Sequence, residues 1–259
     1  MQPRLFLTGA VLAVLSTALL GRTGRATDPP QQWGTVKGQV VWGGGELPPR
    51  KDVKVEKDQE HCLSKGPIPD ESWVVNSQNK GVRWAFVWLA PEPGQPKLSI
   101  HPDLKTIKQG EVVIDQPCCR FEPHALALRE GQELVFKNSA PIAHNVNWTG
   151  VLKNPGSNQI LPAGQSFAVK GLVADRYPLT VACNIHPWMK AWVRVFDNPY
   201  YAVTDSDGNF EIKSAPAGKC RLFVWQESVG YRGGAAGRTG MSIEIKPETT
   251  TNLGKLDIK

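Results

Sequence analysis

The chain has 259 residues and a formal net charge of +6, with 30 Lys and Arg against 24 Asp and Glu. Basic and acidic residues are interspersed without a Lys/Arg block, so the sequence lacks the basic patch that is typical of nucleic-acid-binding proteins. Its 25 glycines and 21 prolines are spread along the chain, and no long stretch keeps helical periodicity. This pattern favours an all-β sandwich or barrel.

Residues 1–26 have the layout of a secretory signal peptide. Arg4 gives a positive start, an apolar stretch runs from Leu5 to Leu20, and a small-x-small signal ends at Ala26. Cleavage there leaves 27 basic against 24 acidic residues and lowers the net charge from +6 to +3. No later stretch approaches the ~20 apolar residues that a membrane span needs. We therefore expect a periplasmic or secreted protein without a transmembrane span; a retained N-terminal anchor is the alternative.

Alternating apolar and polar residues predict short strands throughout the chain. The segments are TVKGQVVW (35–42), ELVFKN (133–138), SFAVKG (166–171) and NFEIKS (209–214). A further strand segment is VRWAFVWLAP (82–91). The segment KDVKVEKDQE (51–60) alternates in charge and is interpreted as a solvated strand edge.

The segment 177–197, YPLTVACNIHPWMKAWVRVFD, carries the strongest chemical pattern. A strand is predicted to end at Cys183, and a second strand follows a short loop. That loop presents Cys183, His186 and Met189 with the spacing C-x2-H-x2-M, and Pro187 opposes helix formation in it. A thiolate, an imidazole and a thioether can thus converge above a strand end.

These residue types predict a copper site. Thiolate and thioether select copper, imidazole suits both of its oxidation states, and a trigonal His2Cys set with a weak axial Met is the blue-copper arrangement. Zinc would prefer paired Cys and His ligands, and no two C-x2-C pairs exist here. The second imidazole must come from outside the loop, from among His61, His101, His124 and His144.

The segment 119–148, CRFEPHALALREGQELVFKNSAPIAHNVNW, points to His144. Here F-x-P precedes alternating leucines, a turn at Gly131 and the pattern L-x-F-x-N. This resembles the cupredoxin family, in which such a strand pair leads to the first histidine ligand. The loop from Cys183 resembles an amicyanin-like copper loop, C-x2-H-P-aromatic-M, with Trp188 as the aromatic residue. The resemblance covers about residues 107–196.

The resemblance implies one type 1 copper ion and a role for each residue around it. The implied ligands are His144, Cys183, His186 and Met189. The side chain of Asn145 would tie the His144 strand to the cysteine loop. His186 would lie at the loop apex as the exit for electrons, and Trp188 would form part of an apolar docking patch for a redox partner.

The four remaining cysteines allow three pairings. We favour a Cys62–Cys119 disulfide, because Cys119 shares strand parity with Phe121 and should point inward, whereas Cys118 should point outward. Cys118 and Cys220 then pair or remain free. Among the remaining histidines, His124 is interpreted as structural, and His61 and His101 lie in turn-rich stretches without a constellation.

The flanking pieces carry a second pattern. Residues 201–227 read T-D-x-D-G-x-F-x-I…P-A-G…L-x-V, a hairpin with a turn at Asp207-Gly208. It resembles the carboxypeptidase regulatory-like β-sandwich. We therefore predict a discontinuous sandwich from 27–106 and 197–259, with a cupredoxin Greek-key sandwich, 107–196, inserted in it. Two consecutive small domains are the alternative.

The predicted function is that of an exported type 1 copper protein that carries single electrons between redox partners. We do not expect an enzyme, because five histidines leave no H-x-H pairs for further copper ions and no catalytic grouping appears in the flanks. A non-redox module for copper storage, copper delivery or polysaccharide binding is the alternative. The tryptophans of the predicted strands are more in keeping with core packing than with a sugar-binding face.

Overall fold

The computed structural model describes residues 31–107, 111–150 and 152–259, so the predicted signal peptide lies outside the described residues. The described chain is built almost wholly of strands, as predicted. The strands are β1 (Trp33–Trp42), β2 (Phe86–Ala90), β3 (Glu111–Asp115), β4 (Ala125–Arg129), β5 (Glu133–Lys137), β6 (His144–Thr149), β7 (Ser157–Leu161), β8 (Ser166–Val169), β9 (Leu179–Ala182), β10 (Lys190–Phe196), β11 (Tyr201–Val203), β12 (Asn209–Pro216), β13 (Gly218–Gln226), β14 (Gly230–Tyr231), β15 (Met241–Ile245) and β16 (Thr250–Ile258). Two short α-helices, α1 (Gln59–Cys62) and α2 (Pro102–Lys105), and a 3-10 turn at Ala236–Thr239 complete the elements. None of the helices described here is long and apolar enough to cross a membrane.

The segments with period-two alternation form strands as predicted: they become β1, β5, β8 and β12. Their inward positions are apolar, since Val36 and Val40 of β1 and Phe210 and Ile212 of β12 are buried. The predicted turn at Gly208 also forms, with φ at 77°, a backbone conformation that glycine adopts without strain. The prediction of an all-β fold is confirmed.

The strands β3 to β10 form two sheets that enclose one core, here called the first sandwich. Five strands lie in the order β4-β10-β9-β6-β7, and three in the order β3-β5-β8. Leu128, Phe136, Val146 and Val193 come from different strands and all are fully buried in this core. Most neighbours are antiparallel, but β10 runs parallel to β4, and β3 runs parallel to β5.

The remaining strands form a second sandwich. Its sheets have the orders β12-β1-β16 and β11-β2-β13-β14, with β15 paired to β13. The core between them includes Val36, Val87, Leu222 and Ile245. The chain therefore leaves this sandwich after β2, builds β3 to β10, and returns with β11 paired antiparallel to β2. Strands β3 to β10 lie within the predicted segment 107–196, and the other strands lie in the two predicted flanks. The exact domain boundaries at 106 and 197 stay a prediction.

Strand β2, FVWLA, is buried on both faces, which explains its continuous apolar run. Val87 and Leu89 point into the core of the second sandwich. Phe86 and Trp88 join an aromatic cluster that also contains Phe196 from β10 of the first sandwich. The two sandwiches thus share an apolar interface.

Residues 51–70 form a segment that we call the cover. The predicted strand edge at 51–60 is wrong, because the segment makes one isolated bridge, Asp52 with Pro69, and then enters α1. Although it precedes β2 in the chain, the cover packs on the first sandwich: Val55, Cys62 and Ile68 are buried in that core. Burial of these side chains and a disulfide at Cys62 take the place of the strand pairing expected here.

Candidate metal centre

The pairing of β6 with β9 brings the predicted metal-binding residues to one end of the first sandwich. The two strands are antiparallel, with Asn147 opposite Ala182 and Trp148 opposite Val181. His144 is the first residue of β6, and Cys183 directly follows the last residue of β9. The register therefore sets the loop that begins at Cys183 beside the start of β6.

Three predicted donor atoms converge in this place. The Nδ1 atoms of His144 and His186 lie 3.1 Å apart, and Cys183 Sγ lies 3.9 Å from His186 Nδ1. Each residue offers an atom to a group whose members all lie within 4.8 Å of one another. All three side chains are buried. The structure thus brings together His144, Cys183 and His186 as a candidate metal centre.

The loop that carries these donors is closed by its own backbone. The Cys183 N–H donates to the Met189 carbonyl at 3.2 Å, and the Met189 N–H donates to the His186 carbonyl at 2.9 Å. Met189 is buried in the same core as Cys183. The N–H groups of Asn145 and His186 each lie 3.4 Å from Cys183 Sγ. Two N–H donors aimed at one sulfur suit a negatively charged thiolate.

The side chain of Asn145 joins β6 to the cysteine loop. Its Oδ1 accepts from the backbone N–H groups of Asn184, at 2.5 Å, and Ile185, at 3.3 Å. Its Nδ2 donates to Asn158 Oδ1 on β7 at 2.5 Å. One buried amide therefore connects three segments, while its predicted part in supporting a bound metal stays a prediction.

His186 is fully buried, and its expected part as the exit for electrons stays a prediction. The cover lies over it, and the Asp58 carboxylate accepts a hydrogen bond from His186 Nε2 at 2.8 Å. Asp58 is 128 residues away in sequence. The exposed positions of the loop are Asn184 and Pro187.

Trp188 is half-buried and turns part of its ring toward the interior. Its ring centroid lies 5.1 Å from that of His186, and its indole N–H donates to the Cys119 carbonyl at 3.1 Å. Pro187 and Trp188 line a cavity of about 370 Å³ at the surface beside the loop. A part for Trp188 in docking a partner stays a prediction.

The Cys62–Cys119 disulfide forms, as favoured from the sequence. Both sulfur atoms and a ring nitrogen of His186 lie within 4.8 Å of one another. The two sulfurs are bonded to each other, so they are not thiolate donors, and the group serves to fix α1 beside the centre.

His61 is not among the converging donor atoms, in keeping with the prediction that it belongs to no constellation. It lies on α1, and its Nε2 is buried without a hydrogen-bond partner among the described residues. The predicted disulfide was the signal that could have placed it, since His61 precedes Cys62.

The protonation state of the two imidazoles suits metal binding. Burial lowers the pKa of His144 to about 4, and the nearby His186 and His61 act in the same direction. Burial also lowers the pKa of His186, against the opposing effect of Asp58. Both imidazoles are therefore neutral at pH 7, the form that binds a metal.

The facing Nδ1 atoms of His144 and His186 also suit a cation between the rings. Because His186 Nε2 donates to Asp58, its Nδ1 carries a lone pair that faces His144 Nδ1. If His144 donates a proton to it, His144 Nε2 becomes a bare acceptor, and this atom is buried without a partner in the described chain. In the other tautomer two lone pairs face each other, and a metal ion held by both imidazoles would remove that repulsion.

The remaining cysteines and histidines belong to neither group of converging atoms. Cys118 is buried and unpaired, so the outward direction expected for it is wrong: residues 118 and 119 lie in a bend, where strand parity does not apply. Cys220 is also unpaired, in the second sandwich. His124 is buried and pairs with Glu227 at 2.5 Å, in keeping with its structural interpretation.

Comparisons with known proteins give solved structures as neighbours. A copper(I) structure of a methionine-to-alanine mutant of amicyanin is 22% identical over 35% of this chain and 86% of its own, with a TM-score of 0.31. A purple cupredoxin from Nitrosopumilus maritimus is 20% identical over 33% of this chain and 99% of its own, with a TM-score of 0.29. No family model matches the chain, and no curated protein matches it.

Proposed function

We propose that this protein is an exported type 1 copper protein that carries single electrons between redox partners. The observation that carries the proposal is the convergence of two imidazole nitrogens and one thiol sulfur in a buried site. Bound copper would supply a couple between its cuprous and cupric states. Imidazole and thiolate donors, with the Met189 thioether in the same loop, have the softness that selects copper.

The chain's own residues contribute rigidity. The amide of Asn145 joins three segments, and the Cys62–Cys119 disulfide fixes the cover over His186. A site whose donors are held in one arrangement reorganises little when an electron arrives or leaves. Fast electron exchange depends on this property.

Burial of the donors supports electron carriage without a catalysed reaction. His144, Cys183 and His186 are at most 2% exposed, so a substrate molecule does not reach them from solvent. An electron, unlike a substrate, passes through packed side chains. The proposal therefore assigns the chain a redox protein partner, of unidentified kind, and no chemical transformation of its own.

The disulfide also supports export. Structural disulfides persist in oxidising compartments such as the bacterial periplasm and the extracellular space. This agrees with the signal peptide predicted over residues 1–26. We therefore propose a periplasmic or secreted location.

The proposal is tested by optical absorption, electron paramagnetic resonance and voltammetry on residues 27–259 loaded with copper. We expect an intense visible thiolate-to-copper band and a reversible one-electron wave. Cys183→Ser should abolish the band, whereas Cys220→Ala, at a buried thiol of the second sandwich, should leave it unchanged. Met189→Gln should keep the colour and lower the reduction potential, because it would replace a soft thioether by an amide oxygen, which favours the cupric ion.

Two outcomes would contradict the proposal in different ways. A colourless copper complex would mean that Cys183 does not ligate. Colour without a reversible wave would favour the alternative of copper storage or delivery.

A further inference from the structure

The cover is fixed to the first sandwich by several independent contacts. Its two ends pair through backbone bonds, with the Val53 N–H donating to the Ile68 carbonyl at 2.9 Å. Val55 and Ile68 bury their side chains in the core of that sandwich. The disulfide joins Cys62 to Cys119, 57 residues away. The segment is thus held in a defined place over the cysteine loop.

Asp58 is the residue of the cover whose carboxylate accepts a hydrogen bond from His186. Its backbone has φ 50° and ψ 38°, the left-handed conformation that Asp and Asn tolerate better than most residues. Its carbonyl accepts from the N–H groups of His61 and Cys62 at 3.1 and 2.9 Å. The turn therefore fixes the direction of the Asp58 side chain.

The carboxylate of Asp58 determines which nitrogen of His186 carries the proton. An ionised carboxylate only accepts hydrogen bonds, so the 2.8 Å contact requires a proton on His186 Nε2. Nδ1 is then free of a proton and faces His144 Nδ1 and Cys183 Sγ. The ring of His186 is 0% exposed, whereas the side chain of Asp58 is 38% exposed. Asp58 thus lies in contact with both the buried ring and solvent.

We infer that Asp58 is a positioning residue of the metal centre, one that holds His186 as its Nε2–H tautomer and closes the ring off from solvent. The inference rests on the proposed function in one respect, the identity of the metal as copper. Carboxylates that accept from a metal-bound histidine orient the ring and make it a stronger donor, and their loss costs 10–100-fold in metal affinity in other sites. A stronger donor favours the cupric over the cuprous state. Loss of Asp58 should therefore raise the reduction potential.

The tautomer is tested on the metal-free protein, independently of copper chemistry. Asp58→Gly removes the carboxylate and suits the left-handed backbone, and Asp58→Asn keeps the backbone and an acceptor oxygen but removes the charge. Glu60→Gln, at an exposed acid of α1 two residues after Asp58, is the matched control. Long-range proton–nitrogen NMR spectra of His186 should show one N–H, at Nε2, in the wild type and in the control. In Asp58→Gly the two tautomers should mix, with Asp58→Asn between these limits.

The copper-loaded variants give the second readout. Asp58→Gly should lose about tenfold more affinity for Cu(II) than for Cu(I), which equals a rise of about 59 mV in the reduction potential. Asp58→Asn should give a smaller rise, and Glu60→Gln none. If the wild type proves colourless with copper, the proposed function fails, while the NMR result still decides the role of Asp58. An unchanged Nε2–H tautomer in Asp58→Gly would overturn the inference.

Discussion

Cys183 and Cys220 are both buried and unpaired, yet they lie in regions of opposite character. Cys183 has two backbone N–H donors at 3.4 Å and a histidine nitrogen at 3.9 Å. Cys220 lies on β13 in an apolar core, where burial raises the pKa of its thiol to about 12, with Glu92 acting in the same direction. A buried thiol that polar groups contact is suited to bind a metal as its thiolate, whereas one that only packs among apolar side chains serves as a small hydrophobe.

The largest expected effect is on stability and comes from removing the disulfide beside the metal centre. The Cys220 region has no such covalent link, because Cys220 is unpaired. The double variant Cys62→Ala/Cys119→Ala opens a loop between residues 57 apart, and loop-closure entropy predicts a loss of about 4 kcal/mol in the free energy of unfolding. Urea denaturation measures this loss. Hydrogen exchange should accelerate in the cover and remain slow in β13.

Cys118→Ala is the control for this change, because Cys118 is buried beside Cys119 and unpaired. It should cost far less than the double variant. Equal losses in the two proteins would mean that packing, not the covalent link, holds the cover.

The pH dependence of stability gives the next effect in size. The pKa of His144 falls from 6.5 to about 4 on folding. In that interval the unfolded chain binds a proton that the folded chain excludes, so stability falls as pH is lowered from 6.5 to 4 and is unaffected by this group above 6.5. The metal-free protein should lose up to about 3 kcal/mol from His144. Urea unfolding at a series of pH values measures the slope.

The contribution of His144 is isolated by comparing slopes. His144→Gln should flatten the curve between pH 6.5 and 4, since the titrating ring is gone. His101→Gln, on a partly buried ring at the start of α2, is the matched control. A wild-type slope in His144→Gln would refute this account of the acid sensitivity.

The smallest of these effects concerns Asn145, with Asn147 on the same strand as a matched control. Asn145→Ala removes the acceptor of the Asn184 and Ile185 N–H groups and should weaken copper binding about tenfold, roughly 1.4 kcal/mol. Asn147→Ala removes an exposed bond to Asn184 Oδ1 and should leave copper affinity unchanged. Competition with a chelator measures both, and equal affinities would deny Asn145 its role.

The sequence predicts the local parts of this molecule well, because their signals are local. Alternation gives β1, β5, β8 and β12, and the spacing from Cys183 to Met189 gives the loop. The meeting of His144 with His186 is not local: it was expected from the resemblance of the two segments to one family, and the structure shows the two rings in contact. The ligand set itself stays a prediction.

The cover shows why the remainder could not be read from the sequence. Asp58 and His186 are 128 residues apart, and no periodicity relates them. The alternating charges of residues 51–60 carry little information, since many exposed segments share them. The favoured pairing of Cys62 with Cys119 was the one signal that could have brought α1 to the centre, and with it the burial of His186.

The double-sided burial of β2 bears on the order in which the chain folds. During synthesis, β1 and β2 emerge early, whereas their partners β12, β13 and β16 emerge late. The second sandwich therefore cannot close until the last strands have been synthesised. The strands β3 to β10 are contiguous, and contacts that are close in sequence form earliest. We therefore expect the sandwich that carries the metal centre to assemble first and to serve as the template on which the Phe86 and Trp88 face of β2 settles.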